Sequence, residues 1–247
     1  MGGEMSTDHD TDGGEEPDGI VLDTPDPPDD LPYADFEDYR AKELLRVNGI
    51  APTIEGALVA LKSDENILRG AAAHVLGSMG DPAAIPQLRK VADDSEDLVK
   101  AEAAYALVRL GEKRYRDVLK ECLAYPLNAY LSPSVAAGDL ARLGDPAGFP
   151  VLVEAFKVDN LIARVVACKQ LSFFVPLHGQ RVGRRRVDAH LLFGLALRDE
   201  QAEVQRIALI QLRELRSPES RKLLERYLPV AAAEYLRDAA QRALDRQ

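Results

Sequence analysis

An alanine standing four residues before a leucine recurs six times along this chain at nearly constant spacing. The leucines are Leu76, Leu107, Leu140, Leu171, Leu212 and Leu244, separated by 31, 33, 31, 41 and 32 residues. The alanines are Ala72, Ala103, Ala136, Ala167, Ala208 and Ala240. Positions i and i+4 share one helix face. A small residue there lets a neighbouring helix approach closely, while the leucine fills the space between. Three residues beyond the leucine, five of the six copies place Met79, Leu110, Leu143, Phe174 or Leu215. Seven residues before it stand Arg69, Lys100, Arg164, Gln205 and Arg237, with Pro133 as the exception. A period of this length means stacked supersecondary units, each unable to bury its apolar face alone.

The punctuation fixes what each unit is. Gly80-Asp81-Pro82 and Gly144-Asp145-Pro146 supply a helix stop, a capping carboxylate and a proline suited to a first helical turn. DPAAIPQL at 81–88 and DPAGFPVL at 145–152 nearly match, two units apart. Each unit therefore reads as helix, turn, helix. Trp is absent and aromatic residues make up only 6%. A core of Ala, Leu and Val follows, which suits close-packed helices better than a β-sandwich.

The segment ILRGAAAHVLGSMGDPAAIPQL (67–88) resembles the HEAT-like repeat found in phycobilisome lyases. Later copies depart from that pattern. Asp139 and Gln170 occupy usually apolar positions, and Val175 and Arg216 stand where the terminal glycine would be. The resemblance covers roughly residues 50–247 and implies a right-handed α-solenoid of about six short helical hairpins. It also implies that the basic residue seven before each leucine bonds nearby carboxylates or carbonyls to hold repeats together. The Trp-bearing TPR signature and the TPLH motif of ankyrin repeats are both missing.

Charge divides the chain. Residues 1–39 hold 14 of its 41 acidic side chains and no Lys or Arg, leaving 27 acids against 31 bases beyond. Residues 1–34 read as a disordered acidic tail with one apolar island, Ile20-Val21-Leu22, and residues 35–247 as the array. The charge split suggests that the tail folds back over basic surface and competes with a partner. The N-terminus has neither a basic nor an apolar signal region, and the stretch His190 to Leu197 is too short to span a bilayer. A soluble, cytoplasmic, monomeric protein is expected.

The resemblance places the second helix of each pair on the concave face. Its outward positions are His74, Tyr105, Arg109, Arg142, Lys169, Phe173, Arg206, Arg213 and Arg242. The 41-residue spacing marks an insertion, a basic inter-repeat loop at 176–187 carrying Arg181, Arg184, Arg185 and Arg186. Guanidinium groups bond carboxylate or phosphate in bidentate fashion. Apart from His74, these are the expected partner-binding residues.

Enzymatic readings find little support in the motifs. HExxH, Walker A, GxGxxG and GxSxG patterns are missing. No histidine precedes a glutamate, so the metal motifs of HEAT-like deoxyhypusine hydroxylases are not here. Two cysteines and four scattered histidines have no metal-ligand spacing, and no cofactor is expected. HEAT-like DNA glycosylases use a Trp-bearing cleft with a catalytic Asp. Asp139, beside Arg142, reads instead as a helix-surface or end-of-core carboxylate. The expected function is a non-enzymatic scaffold or adaptor with an acidic protein partner. The alternatives are nucleic-acid binding through the basic face and arginine loop, or a lyase-like or glycosylase-like activity.

Overall fold

The computed structural model describes residues 35–93, 97–125 and 132–247, with Pro25, Pro28 and Leu31. The expected disordered tail and its fold-back lie almost wholly outside the described residues. Among the described residues, seven longer helices alternate with six short ones. The longer set is α1 (Phe36–Val47), α3 (Asn66–Met79), α5 (Asp97–Arg109), α7 (Ser132–Arg142), α9 (Leu161–Gln170), α11 (Ala202–Leu215) and α13 (Glu234–Asp245). The short set is α2 (Ile54–Ala60), α4 (Ile85–Val91), α6 (Tyr115–Cys122), α8 (Phe149–Ala155), α10 (Ala189–Ala196) and α12 (Pro218–Tyr227). Each long helix packs on the next long helix, and the short helices form a second layer against them. The arrangement is an all-α solenoid, with α1 preceding six helical pairs.

The alanine-leucine repeat builds the stack. All six alanines are fully buried, as are five of the six leucines; Leu244, on α13, is half-buried. The close approach is visible between α3 and α5. A Cβ placed on Gly77 would lie 2.7 Å from the Cβ of Ala106. Only small side chains permit backbones that near.

The turns follow the local sequence. Gly80 and Gly144 adopt left-handed φ of 74° and 76°, a conformation glycine reaches without a Cβ clash. Asp81 and Asp145 then accept from the amides of Ala83 and Ala147 at 2.9 and 3.0 Å. In each case the proline opens a short 3₁₀ turn, Pro82–Ala84 or Pro146–Gly148. Arg216 stands where a glycine is wanted and takes φ 43°, the one positive φ among described residues other than glycine. That strain costs about 1–2 kcal/mol.

The residue seven before the leucine does what the resemblance implies in three of the copies. Arg69, Arg164 and Gln205 each donate to the carbonyl six residues earlier, on Ser63, Val158 and Asp199, at 3.0, 3.1 and 2.5 Å. Each side chain thus ties its helix to the preceding inter-helix turn. Arg164 also approaches the Asp199 carboxylate at 2.9 Å, a buried ion pair without hydrogen-bond alignment.

One repeat is irregular. α9 tightens after Gln170 into a 3₁₀ run, Leu171–Leu177, with Pro176 inside it. The buried Gln211 amide accepts from the Ser172 amide (3.1 Å) and donates to the Cys168 carbonyl (2.6 Å). Those two groups would bond each other in an α-helix, so a side chain from α11 has entered the ladder. The expected loop at 176–187 is more ordered than its sequence suggested. It holds an antiparallel hairpin, β1 (Arg181–Val182) and β2 (Arg185–Arg186), with Gly183 at φ 58°. Cys122 and Cys168 are buried free thiols. Among the described residues no helix is long and apolar enough to cross a membrane.

Because Ala103 is fully enclosed between long helices, Ala103→Leu overpacks the stack. Urea denaturation should show a loss of about 1–3 kcal/mol; an unchanged midpoint would contradict the packing described.

Candidate functional site

Five successive long helices contribute to one cavity of about 180 Å³. Its lining includes Glu37 of α1, His74 of α3, Glu102 of α5, Asp139 and Arg142 of α7, and Lys169 and Gln170 of α9. For α1 and α9 to reach the same space, the long-helix face must be concave.

The cavity holds an electrostatic cluster. His74 Nδ1 lies 3.0 Å from Glu102 Oε2. Burial disfavours the imidazolium, but the charge and hydrogen bond of Glu102 outweigh it, so the His74 pKa is raised. Asp139 is 3% exposed. Burial, reinforced by the Glu102 charge, pushes its carboxyl well above the ordinary carboxylate range despite the nearby Arg142. Arg142 Nη1 stands 3.7 Å from Asp139 Oδ1, too far for a good hydrogen bond. Asp139 Oδ2 and Arg142 Nη2 are buried with no hydrogen-bond partner among the described protein atoms. Such atoms are costly to leave unsatisfied.

Arg142 also lines a second, larger cleft of about 520 Å³. Its walls are Ala141 of α7 and Gly144 just beyond it, Ser172, Phe173, Pro176 and Leu177 of the 3₁₀ run, and Gln211, Glu214 and Leu215 of α11. Most of this lining is apolar. The Arg142 guanidinium lies 4.1 Å from the centre of the Phe173 ring and 5.7 Å from that of Tyr105, within cation–π range. Arg142 therefore separates a polar cavity from an apolar cleft.

The residues expected on the outward face have distinct fates. Tyr105 is 6% exposed, covered by the guanidinium groups of Arg109 and Arg142. It supports those cations and offers little contact surface, because the curved face closes over it. His74 is buried for the same reason. Lys169 is half-buried, and burial followed by the Arg40 charge lowers its pKa. Phe173 is half-buried at the cleft wall. Arg206 bonds Glu203 at 2.8 and 2.9 Å, and Arg213 bonds Glu214 at 2.8 Å. The expected cationic stripe is thus interrupted by acids along α11. Arg109 and Arg242 are exposed. In the hairpin Arg181 faces Arg186 across the strands, Arg185 reaches Glu154 at 3.0 Å, and all four arginines are exposed.

Asp139 is not the helix-surface or end-of-core carboxylate its sequence suggested: it sits at the centre of the cluster. Its departure from the repeat's apolar pattern was the available signal, and Gln170 gave a similar one. Glu37, Glu102 and Gln211 carried no such mark. Nor did sequence spacing reveal that His178, Asp188 and His190 converge beneath the hairpin.

A family model described as HEAT repeats matches residues 54–132, from the first residue of α2 to the first of α7. Residues 54–132 carry HEAT repeats. No curated protein matches it in sequence. Among solved structures, the chain is similar to a designed armadillo repeat protein (14% identity, TM-score 0.44, covering 78% of this chain and 99% of that one). It is also similar to the complex of CpcE and CpcF of phycocyanin lyase from Nostoc sp. PCC7120 (15%, 0.43, 90% and 95%). A third similar structure is human deoxyhypusine hydroxylase in complex with glycerol (18%, 0.34, 89% and 92%).

The buried cluster has a pH signature. A carboxyl whose folded pKa is raised contributes stability below its unfolded pKa and loses it as pH rises through the folded value. His74, also raised, acts with the same sign. Asp139→Asn removes the carboxyl contribution. Wild-type stability should therefore fall relative to the variant as pH rises from about 4 toward the raised folded value. Parallel urea-denaturation profiles over that range would show that Asp139 titrates as it does in water.

Proposed function

We propose that this protein is a non-enzymatic scaffold or adaptor whose HEAT repeats bind an acidic segment of a protein partner. The observation that carries the reading is the Arg142 guanidinium stacked on Phe173 at the wall of an apolar cleft of about 520 Å³. An apolar side chain of the partner would fill the cleft, and a neighbouring carboxylate would meet Arg142. An aromatic and an arginine in a preformed hollow are the usual anchors of protein recognition.

The hairpin supports the same reading. Pro176 and Leu177 of the cleft lead directly into it, and β1 packs on the 3₁₀ turn Pro146–Gly148 just beyond Gly144. Cleft and hairpin therefore share one edge of the array. Two arginines held opposite each other on paired strands repel, and an anionic partner would relieve that repulsion. Arg181, Arg184 and Arg186 would add association rate through long-range attraction. The acidic tail would compete for this surface.

Nucleic acid is the second reading, because phosphates suit the same arginines. The acids that partner Arg206, Arg213 and Arg185 favour a local anchor over a continuous phosphate track. The test is capture from native-host extract by the immobilised full chain, with and without nuclease. A retained protein should survive nuclease. Its retention should fall at least about tenfold with Phe173→Ala or with Arg142→Gln, each checked for helicity by circular dichroism. Replacing Arg184, Arg185 and Arg186 with Glu should weaken retention most at low salt. Loss of all captured material to nuclease would favour phosphate recognition, and full retention by both cleft variants would exclude the cleft.

A further inference from the structure

We propose that His178, Asp188 and His190 form a site for one divalent transition-metal ion of the zinc class, which staples the base of the arginine hairpin to the first turn of α10. The inference is independent of the partner reading above. One ligand atom from each of the three residues lies within 4.8 Å of the other two. Ligands around a tetrahedral zinc are about 3.4 Å apart, given bonds of about 2.1 Å. The side chain of His178 is 62% exposed, which leaves its ring room to turn toward the other two ligands.

The backbone holds these positions together. The Gly179 amide donates to the Val187 carbonyl and the Val187 amide to the Gln180 carbonyl, both at 2.9 Å. His178 and Asp188 immediately flank that closure. Val187 and Ala189 are fully buried, anchoring the second strand's exit.

Two of the three ligands are already oriented. Asp188 caps α10, its Oδ1 accepting from the Leu191 amide at 3.0 Å, and a carboxylate that accepts one hydrogen bond keeps lone pairs for a metal. The His190 ring sits beside Phe193, with Nε2 3.3 Å from the Ser217 hydroxyl. Ser217 is fixed in turn as the cap of α12, accepting from the Ser220 amide at 3.0 Å. Outer contacts of this kind orient metal ligands. Helix capping accounts for Asp188 alone; it explains neither histidine. His178 Nδ1 lies 4.0 Å from Asp188 Oδ1, too far for a hydrogen bond but close enough for both to reach one ion. Two imidazoles and a carboxylate are a donor set for zinc and its neighbours, with a coordination position left for water or a partner's side chain.

The test uses the full chain without an affinity tag, stripped by chelator and titrated with Zn²⁺ in a calorimeter. One ion per chain should bind with a dissociation constant on the order of micromolar or tighter. Cobalt in its place should give the visible absorption of a four-coordinate centre. Asp188→Asn keeps a capping side chain and should still weaken binding at least about tenfold, as should His178→Ala and His190→Ala. Zn²⁺ should also slow hydrogen exchange at the amides of Gly179 and Val187. The proposal is overturned if no saturable binding occurs below about 100 µM. It is equally overturned if the double variant His178→Ala/His190→Ala binds as wild type, which would place the ion elsewhere on the chain.

Discussion

The close approach of successive long helices is the constraint on which the rest of the molecule depends. Six fully buried alanines set the separation, and leucines one turn later fill what remains. Burial of an aliphatic side chain is worth about 1.5–3 kcal/mol, but it is collected only if the next helix is present. Stability in such an array is a sum over neighbours. The same closeness sets the curvature of the long-helix face, and so brings α1, α3, α5, α7 and α9 around one small cavity.

Inside that curve the chain does something a stable core does not require. His74, Glu102, Asp139 and Arg142 could each have been apolar, yet they meet in a space where charges are poorly solvated. A buried ionic cluster is weak support for folding, because desolvation offsets most of the attraction. Here the geometry is not even optimal: the Asp139–Arg142 approach is 3.7 Å and one polar atom on each side chain lacks a partner. The cost is carried by the regular packing on either side. Unrelieved polarity beside an apolar cleft is the character of a recognition site.

The stack and its turns were legible in the sequence because they rest on local rules. Helical period identifies the alanine and leucine face. Gly-Asp-Pro identifies the turns, and the Arg69, Arg164 and Gln205 register identifies the ties to the preceding turn. The site was only partly legible, since it depends on curvature. Arg142, Lys169 and Phe173, which register put on the outward face, line the cavity or the cleft. Register could not show that the face closes over Tyr105 and His74. Likewise, Arg206 and Arg213 looked like free cations until their helix neighbours Glu203 and Glu214 were seen to turn toward them. His178 and His190 are twelve residues apart in sequence, and only the hairpin closure between Gly179 and Val187 makes them neighbours.

The irregular repeat shows how a repeat array acquires a cleft. Pro176 removes a backbone donor and Gln211 occupies the bond between Cys168 and Ser172, so α9 cannot continue as an α-helix. Its tighter run turns Phe173, Pro176 and Leu177 toward the C-terminal ends of α7 and α11, and these side chains are the cleft. The chain that leaves this run must still return to start α10, and the hairpin makes that return. Cleft, exposed arginines and the histidine pair therefore have one structural origin: a single interruption of the repeat, made affordable because Phe174, Val187 and Ala189 bury fully on either side of it. A perfectly regular array would be a stable rod with a uniform face. The interruption gives that face one place unlike any other, which selective binding requires.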